Sequence, residues 1–201
     1  MPPHPLKTAT AFDDVELARR CAAGERAAQH ALFGQMRTQV HRTLYRVLGS
    51  NRQMEDLIQE TFVAAFRSIG SFRGESSLNT WVDTIATRVV YRHLSRREPR
   101  PLHLHAIADP PALAPDPERQ AAARETLRRL YAVLDRLEPK YRIAYTLHVI
   151  DGRSLREIAR VTHASTLAIK NRIWRARRMV NQRALHDPLL REFLSSLQAA
   201  P

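Results

Sequence analysis

Cysteine and glycine are both scarce in this chain, which has 201 residues with one cysteine and six glycines. Cys21 has no second cysteine to pair with, so an internal disulfide and a zinc site built from cysteines are excluded. The near-absence of glycine turns and of alternating polar and apolar residues argues against strands. Apolar residues instead recur with a period of about 3.6 residues, which predicts an all-α fold.

Long apolar runs are also missing. No run approaches the roughly 18 residues that a membrane span needs. The N-terminal stretch MPPHPLKTATAFDD has no apolar core of the kind found in secretion signals. We therefore expect a cytoplasmic protein with no membrane insertion.

The sequence shows no motif for catalysis. It has no phosphate-binding glycine loop and no nucleophile elbow. His103 and His105 lie close together, but two ligands are too few for a zinc site. We expect no catalytic residues, no metal and no cofactor.

The abundant feature is positive charge, with a formal net charge of +12. Only Lys7, Lys140 and Lys170 are lysines, so 32 − 3 = 29 of the basic residues are arginine. Arginine forms forked hydrogen bonds with phosphates and guanine edges. This composition indicates a polyanionic partner, either nucleic acid or an acidic membrane surface, although a solvated basic surface is the simpler alternative.

Proline marks a linker between two domains. Six of the twelve prolines fall between Pro99 and Pro117, a stretch that supports neither a helix nor a central strand. We predict a four-helix N-terminal domain and a helix-turn-helix C-terminal domain joined by this Pro-rich linker. The predicted divisions are a disordered N-terminus (1–12), the first domain (13–97), the linker (98–117), the second domain (118–185) and a helical C-terminal extension (186–201).

Capping residues and glycines delimit the predicted helices of the first domain. Asp13 or Asp14 caps the first helix and Gly24 ends it. The second helix covers about 25–48 and is ended by Gly49. The third covers about 52–69, and the fourth runs from about Ser77 or Asn79 to residue 97.

The second domain has the pattern of a helix-turn-helix. Helices are predicted over about 117–137 and 139–150. A short helix follows, with Ser154 and Glu157 forming a capping box. A turn around His163 leads into a long helix that starts at Ser165 or Thr166.

The outer face of that long helix carries side chains suited to reading DNA. Asparagine and arginine recognise adenine and guanine edges in a major groove. One stripe of this face consists of Lys170, Asn171, Trp174, Arg175 and Arg178, and Arg172 and Arg177 flank it. A solvated basic helix is the alternative, but Trp174 on the polar stripe argues against it.

Two features of the first domain allow more than one interpretation. The third helix presents Glu55, Asp56, Gln59 and Glu60, which form either a solvated acidic face or a docking site for a basic protein. The loop Phe72–Ser77 is either a simple connection or a pocket for an unstacked base. The outer face of the helix after this loop is predicted to show Asn79, Asp83, Thr84, Arg88, Arg92 and Ser95.

Two long segments resemble a known family. The run MEDLIQETFVAAFRSIGSFRGESSLNTWVDTIATRVVYRHLSRR is similar to the second conserved region of bacterial sigma factors, especially those of the extracytoplasmic-function (ECF) class. The run RLEPKYRIAYTLHVIDGRSLREIARVTHASTLAIKNRIWRARR is similar to their fourth region. Together the resemblance covers about residues 13–183.

The resemblance implies partners and site residues. Core RNA polymerase would dock through its largest subunits at Asp56, Gln59 and Glu60. The minus-ten promoter element, with one flipped base, would be bound by Phe72, Arg73, Gly74, Glu75, Ser76, Ser77, Asn79, Thr80, Trp81, Asp83, Thr84, Arg88 and Arg92. The minus-thirty-five element would be bound in its major groove by Thr166, Lys170, Asn171, Arg172, Trp174, Arg175, Arg177 and Arg178.

The implied function is a sigma factor that recruits core polymerase to promoters, promotes melting and initiates transcription, associated with the nucleoid when bound to polymerase. Many members of the family have an anti-sigma partner. The chain departs from the family at His163, where glycine is usual, and at Leu167-Ala168, where a small-residue pair is more usual. The extension 186–201 either packs on its own domain or acts as a regulatory tail.

Two other functions compete with this interpretation. An ordinary helix-turn-helix regulator would bind duplex DNA alone, and it would need neither the acidic face nor the polar loop. A nucleic-acid enzyme would need a cluster of catalytic or metal-binding residues.

Overall fold

The computed structural model describes residues 6–96 and 117–199. Within these ranges the chain forms helices and no strands, which confirms the predicted all-α class. The helices are α1 (Leu6–Ala22), α2 (Arg26–Leu48), α3 (Met54–Ser68), α4 (Leu78–Arg96), α5 (Pro117–Leu134), α6 (Pro139–Tyr145), α7 (Leu155–Thr162), α8 (Thr166–Ala184) and α9 (Pro188–Ala199). Almost all of the predicted linker lies outside the described residues.

The chain divides into two compact units. Unit 1 holds residues up to 44 together with 53–89, and unit 2 holds residues 45–52 together with the chain from residue 90 onward. The last turn of α2 and the end of α4 therefore count with unit 2. The predicted boundary near residue 97 stays a prediction.

Helix α1 begins earlier than the sequence suggested. It starts at Leu6, so residues 6–12 are helical and the prediction of a disordered segment over 1–12 is wrong for them. The prediction that Asp13 or Asp14 caps α1 is wrong for the same reason. The Asp14 carboxylate instead accepts a hydrogen bond from the backbone N–H of Leu78, at 2.8 Å.

The core of unit 1 is built from the apolar stripes of α2, α3 and α4. The α3 stripe that the 3.6-residue period predicted is buried, and the ring of Phe62 in α3 lies 4.6 Å from the ring of Phe33 in α2. Buried members include Ala28, Leu32, Val40 and Leu44 of α2, Leu57, Ile58, Phe62 and Ala65 of α3, and Leu78, Val82, Ala86 and Val89 of α4. This core holds the outer faces of α3 and α4 towards solvent.

In unit 2 the end of α2 is held by side chains of α5 and α6. The hydroxyl of Tyr131 donates to the carbonyl of Arg46 at 2.8 Å. The buried guanidinium of Arg142 donates to the carbonyls of Val47 and Leu48 at 2.8 and 2.9 Å. These bonds satisfy carbonyls that have no partner within the helix.

The helix-turn-helix has the caps that the sequence predicted. Ser154 and Glu157 form the capping box of α7. His163 follows α7 in the left-handed region, with φ of 49°, which His tolerates better than bulky residues do. The hydroxyl of Ser165 then accepts from the N–H of Ala168 at 3.1 Å and caps α8.

Helix α6 covers the first half of the predicted helix over 139–150. It ends at Tyr145 and continues as a π-helical turn over Thr146–Ile150. The wider turn is closed by the N–H of Asp151, which donates to the carbonyl of Thr146 at 2.9 Å. The chain is therefore helical over 139–150 as predicted, and the second half of this helix has the wider π geometry.

The C-terminal extension packs on unit 2. Its helix α9 inserts Leu190 and Leu194 into a cluster with buried residues of α5 and α8. Asp187 accepts from the N–H of Leu190 at 3.3 Å and pairs with Arg129 at 3.1 Å. This packing agrees with the first of the two interpretations given for the extension.

No helix of residues 6–96 and 117–199 is long and apolar enough to cross a membrane.

Candidate nucleic-acid interface

The inner face of α8 fixes which side chains the helix shows to solvent. Ile169, Ile173, Ala176 and Val180 are buried at the spacing of one helix face. The opposite face must therefore point outward.

The outward face carries the five residues that the sequence predicted as a stripe. Lys170, Asn171, Trp174, Arg175 and Arg178 are all exposed. Trp174 is 60% exposed, which is a large apolar surface to leave in water. Among the flanking predicted residues, Thr166 and Arg177 are exposed and Arg172 is half-buried.

Two intramolecular contacts order this stripe. The guanidinium of Arg178 lies over the Trp174 ring, 5.8 Å from its centroid, an attractive cation–π geometry. Arg175 donates to the hydroxyl of Tyr141 in α6 at 3.1 Å. That hydrogen bond raises the pKa of the Arg175 guanidinium above its usual value.

An exposed apolar residue in α8, Leu167, is not part of the predicted site. Leu167 is 67% exposed in the first turn. Its spacing from Lys170, Asn171 and Trp174 places it on the same face, so the helical period could have identified it. In the sequence, Leu167 stands out only as a departure from the family pattern.

In unit 1 two contacts hold the polar loop, one at Phe72 and one at Gly74. The ring of Phe72 meets the ring of Trp81 edge-on at 5.7 Å between centroids. Gly74 has φ of 73°, and a Cβ there would lie 2.8 Å from Cγ2 of Val15 in α1. Glycine is therefore required at this position for both its conformation and its space.

The loop leads into a capped helix. The hydroxyl of Ser77 accepts from the N–H of Thr80 at 3.1 Å, so Ser77 is the N-cap of α4. Arg73, Glu75 and Asn79 are exposed, and Ser76 is half-buried. Together these residues form a polar rim around the start of α4.

The outer face of α4 is partly different from the prediction. Arg88 and Arg92 are exposed, and Thr84 is half-buried. Asp83 is 5% exposed and accepts from the hydroxyl of Thr43 at 2.6 Å. The prediction that Asp83 lies on the outer face is wrong, because it shares a buried face with Thr87 and Val90.

The acidic residues predicted for α3 lie on the side of the helix that faces solvent. Glu55, Asp56 and Gln59 are exposed, and Glu60 is half-buried. Glu55 pairs with Arg37 at 2.7 Å, but such an exposed pair contributes little free energy. The surface therefore keeps an acidic character within a basic protein.

Across the described ranges, no group of three or more His, Cys, Asp or Glu could hold a metal ion. His103 and His105 lie outside those ranges.

Two family models match this chain. Sigma-70 region 2 matches residues 32–100, and Sigma-70 region 4 matches residues 127–180. The first match contains the acidic face of α3, the polar loop and α4. The second contains the helix-turn-helix with most of α8.

Characterised relatives match along most of their length. The RNA polymerase sigma-H factor of Pseudomonas aeruginosa is 29% identical over 196 residues, covering 91% of this chain and 98% of the relative. The ECF RNA polymerase sigma-E factor of Haemophilus influenzae is 28% identical over 179 residues, covering 85% and 94%.

Solved structures share the fold. CnrH in complex with the cytosolic domain of CnrY aligns with a TM-score of 0.60 at 24% identity, covering 87% of this chain and 98% of that chain. The sigma factor RpoE in complex with the anti-sigma factor NepR from Bartonella quintana gives 0.55 at 20% identity, covering 77% and 95%.

Proposed function

Because this chain belongs to the extracytoplasmic-function class of bacterial sigma-70 factors, we propose that three of its surfaces divide the work of transcription initiation. As a sigma factor it binds core RNA polymerase, recognises promoter elements and initiates transcription. The proposal concerns which residues do so. The observation that carries it is the exposed stripe of α8, which places Lys170, Asn171, Trp174, Arg175 and Arg178 together on one outward face.

The α8 stripe reads the minus-thirty-five element in the major groove. A major groove is wide enough for an α-helix, and Asn and Arg pair with base edges there. Asn171 and Arg175 have the appropriate side chains, and Lys170 adds charge beside them. Arg172 and Arg177 flank the stripe and are suited to phosphate contacts, which position the helix without reading sequence.

The loop Phe72–Ser77 and the first turn of α4 bind the minus-ten element as a single strand. The rim of donors and acceptors suits a flipped base, and Arg88 and Arg92 suit the backbone. Asn79, Thr80, Trp81 and Thr84 lie beside this loop. Asp83 is excluded from the contact because it is buried.

Strand opening sets the energy that this site must supply. Unstacking costs roughly 1.4 kcal/mol for each base-pair step. One captured base and a few arginine–phosphate contacts offset much of the cost of opening several steps. Because those contacts are ionic, promoter affinity falls steeply as salt rises.

The acidic face of α3 docks core polymerase. Asp56 and Gln59 are exposed and Glu60 lies beside them. A carboxylate surface would repel DNA, but it complements a basic protein surface. The acidic face of α3 therefore contacts the polymerase, and the basic faces of α4 and α8 contact the promoter.

An anti-sigma protein is a further partner. CnrH and the Bartonella quintana RpoE are both described in complexes, the latter with an anti-sigma factor. An inhibitor of this chain would compete for the polymerase or promoter surfaces.

The chain performs no covalent chemistry. It works in the cytoplasm, at the nucleoid when polymerase is bound.

The test is a gel shift on promoter DNA with and without core polymerase. The proposal expects specific binding only when core enzyme is present. The paired substitution Asp56→Lys and Glu60→Lys should lower core affinity without unfolding the chain. Glu192→Lys, at an exposed glutamate of α9, is the control for a charge reversal outside α3, and it is compared with Asp56→Lys and Glu60→Lys made singly.

Two results would count against the proposal. Specific binding by the chain alone, unchanged by polymerase, would favour an independent helix-turn-helix regulator. Unchanged co-purification of the charge-reversed variant with core enzyme would remove α3 from the docking site.

A further inference from the structure

Leu167 is more exposed than any other large apolar residue for which the structure describes exposure, at 67%. It lies in the first turn of α8, directly after Thr166. Single exposed leucines are common on protein surfaces. The position of this one on the helix is what gives it meaning.

The helical period places Leu167 in the middle of the DNA-reading stripe. It precedes Lys170, Asn171 and Trp174 by three, four and seven residues, spacings that share one helix face. It lies on the opposite side from Ile169 and Ile173, which are buried. Leu167 therefore extends the stripe towards the N-terminus of the helix.

The chemistry of that position restricts what the side chain can contact. Recognition helices meet base edges mainly through their N-terminal residues. Leucine makes no hydrogen bond, so it cannot pair with guanine, adenine or cytosine edges. The apolar group that a major groove offers is the C5-methyl of thymine.

We propose that Leu167 is a specificity-determining residue that packs against a thymine methyl group in the minus-thirty-five element. The inference rests on the proposed function of α8. It assigns to this chain a preference for thymine at one upstream position, set by apolar contact and independent of Asn171 and Arg175.

The test replaces thymine by deoxyuridine, which removes only the methyl group. The probe is a promoter duplex selected from a randomised library by the full chain with core polymerase. Each thymine of the upstream element, on both strands, is replaced in turn. The burial of one methyl-sized group corresponds to about a fourfold change in affinity, so we expect a loss of that size at one position.

The variant Leu167→Ala separates this contact from the rest of the helix. It should bind the thymine duplex about fourfold or more weakly and lose its sensitivity to deoxyuridine at that position. Leu185→Ala is the matched control, because Leu185 is 63% exposed at the other end of α8. It should keep both the affinity and the deoxyuridine response.

Three results would overturn the inference. One is that no upstream thymine responds to deoxyuridine although scrambling the element abolishes binding. The second is that Leu167→Ala keeps the wild-type response. The third is that it lowers affinity for core polymerase without DNA, which would place Leu167 in a protein contact. If scrambling the upstream element has no effect at all, the proposed function of α8 itself fails.

Discussion

The carboxylate of Asp14 accepts a hydrogen bond from the backbone N–H of Leu78 at 2.8 Å, across 64 positions of sequence. Leu78 is the first residue of α4, whose initial N–H groups have no partner within the helix. The neighbouring Val15 lies against Gly74 of the polar loop. Helix α1 thereby holds the junction between that loop and α4.

Asp14→Ala should therefore weaken minus-ten capture as well as the fold of unit 1. Loss of a capping acceptor lowers the free energy of unfolding by about 0.5–2 kcal/mol. The released loop should also reduce open-complex formation. Binding of an upstream duplex that lacks the minus-ten element should not change. Urea titration measures the first effect, and a fluorescence assay of strand opening by the holoenzyme measures the second.

Asp13→Ala is the control for charge, since Asp13 is the exposed neighbour. Asp14→Asn keeps an acceptor oxygen and should fall between the wild type and the alanine variant. Equal strand opening by the Asp13 and Asp14 alanine variants would contradict a positioning role for α1.

Asp83 should matter for stability and not for promoter recognition. Its buried carboxylate accepts from Thr43 at 2.6 Å. Thr43→Val removes that donor and should cost about 1–3 kcal/mol, because a buried acceptor loses a hydrogen bond. Thr43→Ser keeps the hydroxyl and should cost much less. The opposite result would contradict this prediction. In that case Thr43→Val would have the same urea midpoint as the wild type but would bind the minus-ten strand more weakly.

Tyr141 should position Arg175 for base contact. The phenol accepts from the guanidinium at 3.1 Å, and its ring is buried in the core of unit 2. Tyr141→Phe keeps the ring and removes only the acceptor. We expect holoenzyme binding to the minus-thirty-five element to weaken by about 0.5–1.5 kcal/mol, the net value of a typical hydrogen bond.

A double-mutant cycle with Arg175→Ala isolates this effect. Once Arg175 is gone, Tyr141→Phe should no longer change affinity. Lys140→Ala is a useful control, because Lys140 lies over the ring of Tyr141 and leaves its hydroxyl untouched. Additive losses in the double variant would mean that Tyr141 acts independently of Arg175.

The elements that sequence could predict are those fixed by local rules. The α8 stripe follows from the 3.6-residue period, and Ser154 with Glu157 follows from the capping-box spacing. The exposure of Trp174 could likewise be predicted from the helical period alone, because Trp174 lies on the face opposite the apolar stripe that contains Ile173. These features depend on residues within a few turns of each other.

The features that sequence could not predict depend on distant partners. No sequence pattern near Asp83 indicates that its carboxylate accepts a hydrogen bond from Thr43, 40 residues away. The role of Asp14 depends on Leu78, so a carboxylate that looks like a local cap serves another helix. The π-helical turn after Tyr145 likewise has no periodic signal, since the apolar pattern continues through it.

The capping box of α7 should make stability depend on pH. Glu157 accepts from the hydroxyl and the backbone N–H of Ser154 at 2.7 and 2.8 Å, and these bonds lower the pKa of its carboxyl below the usual value of 4.5. A lowered pKa gives stability that is present above pH 4.5 and is lost as pH falls through the folded-state pKa. Glu157→Gln keeps an acceptor but no charge at the helix N-terminus, so it should cost about 0.3–1 kcal/mol at pH 7. That cost should shrink towards zero as the wild-type carboxyl is protonated at acid pH. Thermal unfolding of both proteins from pH 7 down to pH 3, with Glu192→Gln as the exposed control, measures the difference. A gap in unfolding temperature that is constant or widens on acidification would contradict the assignment.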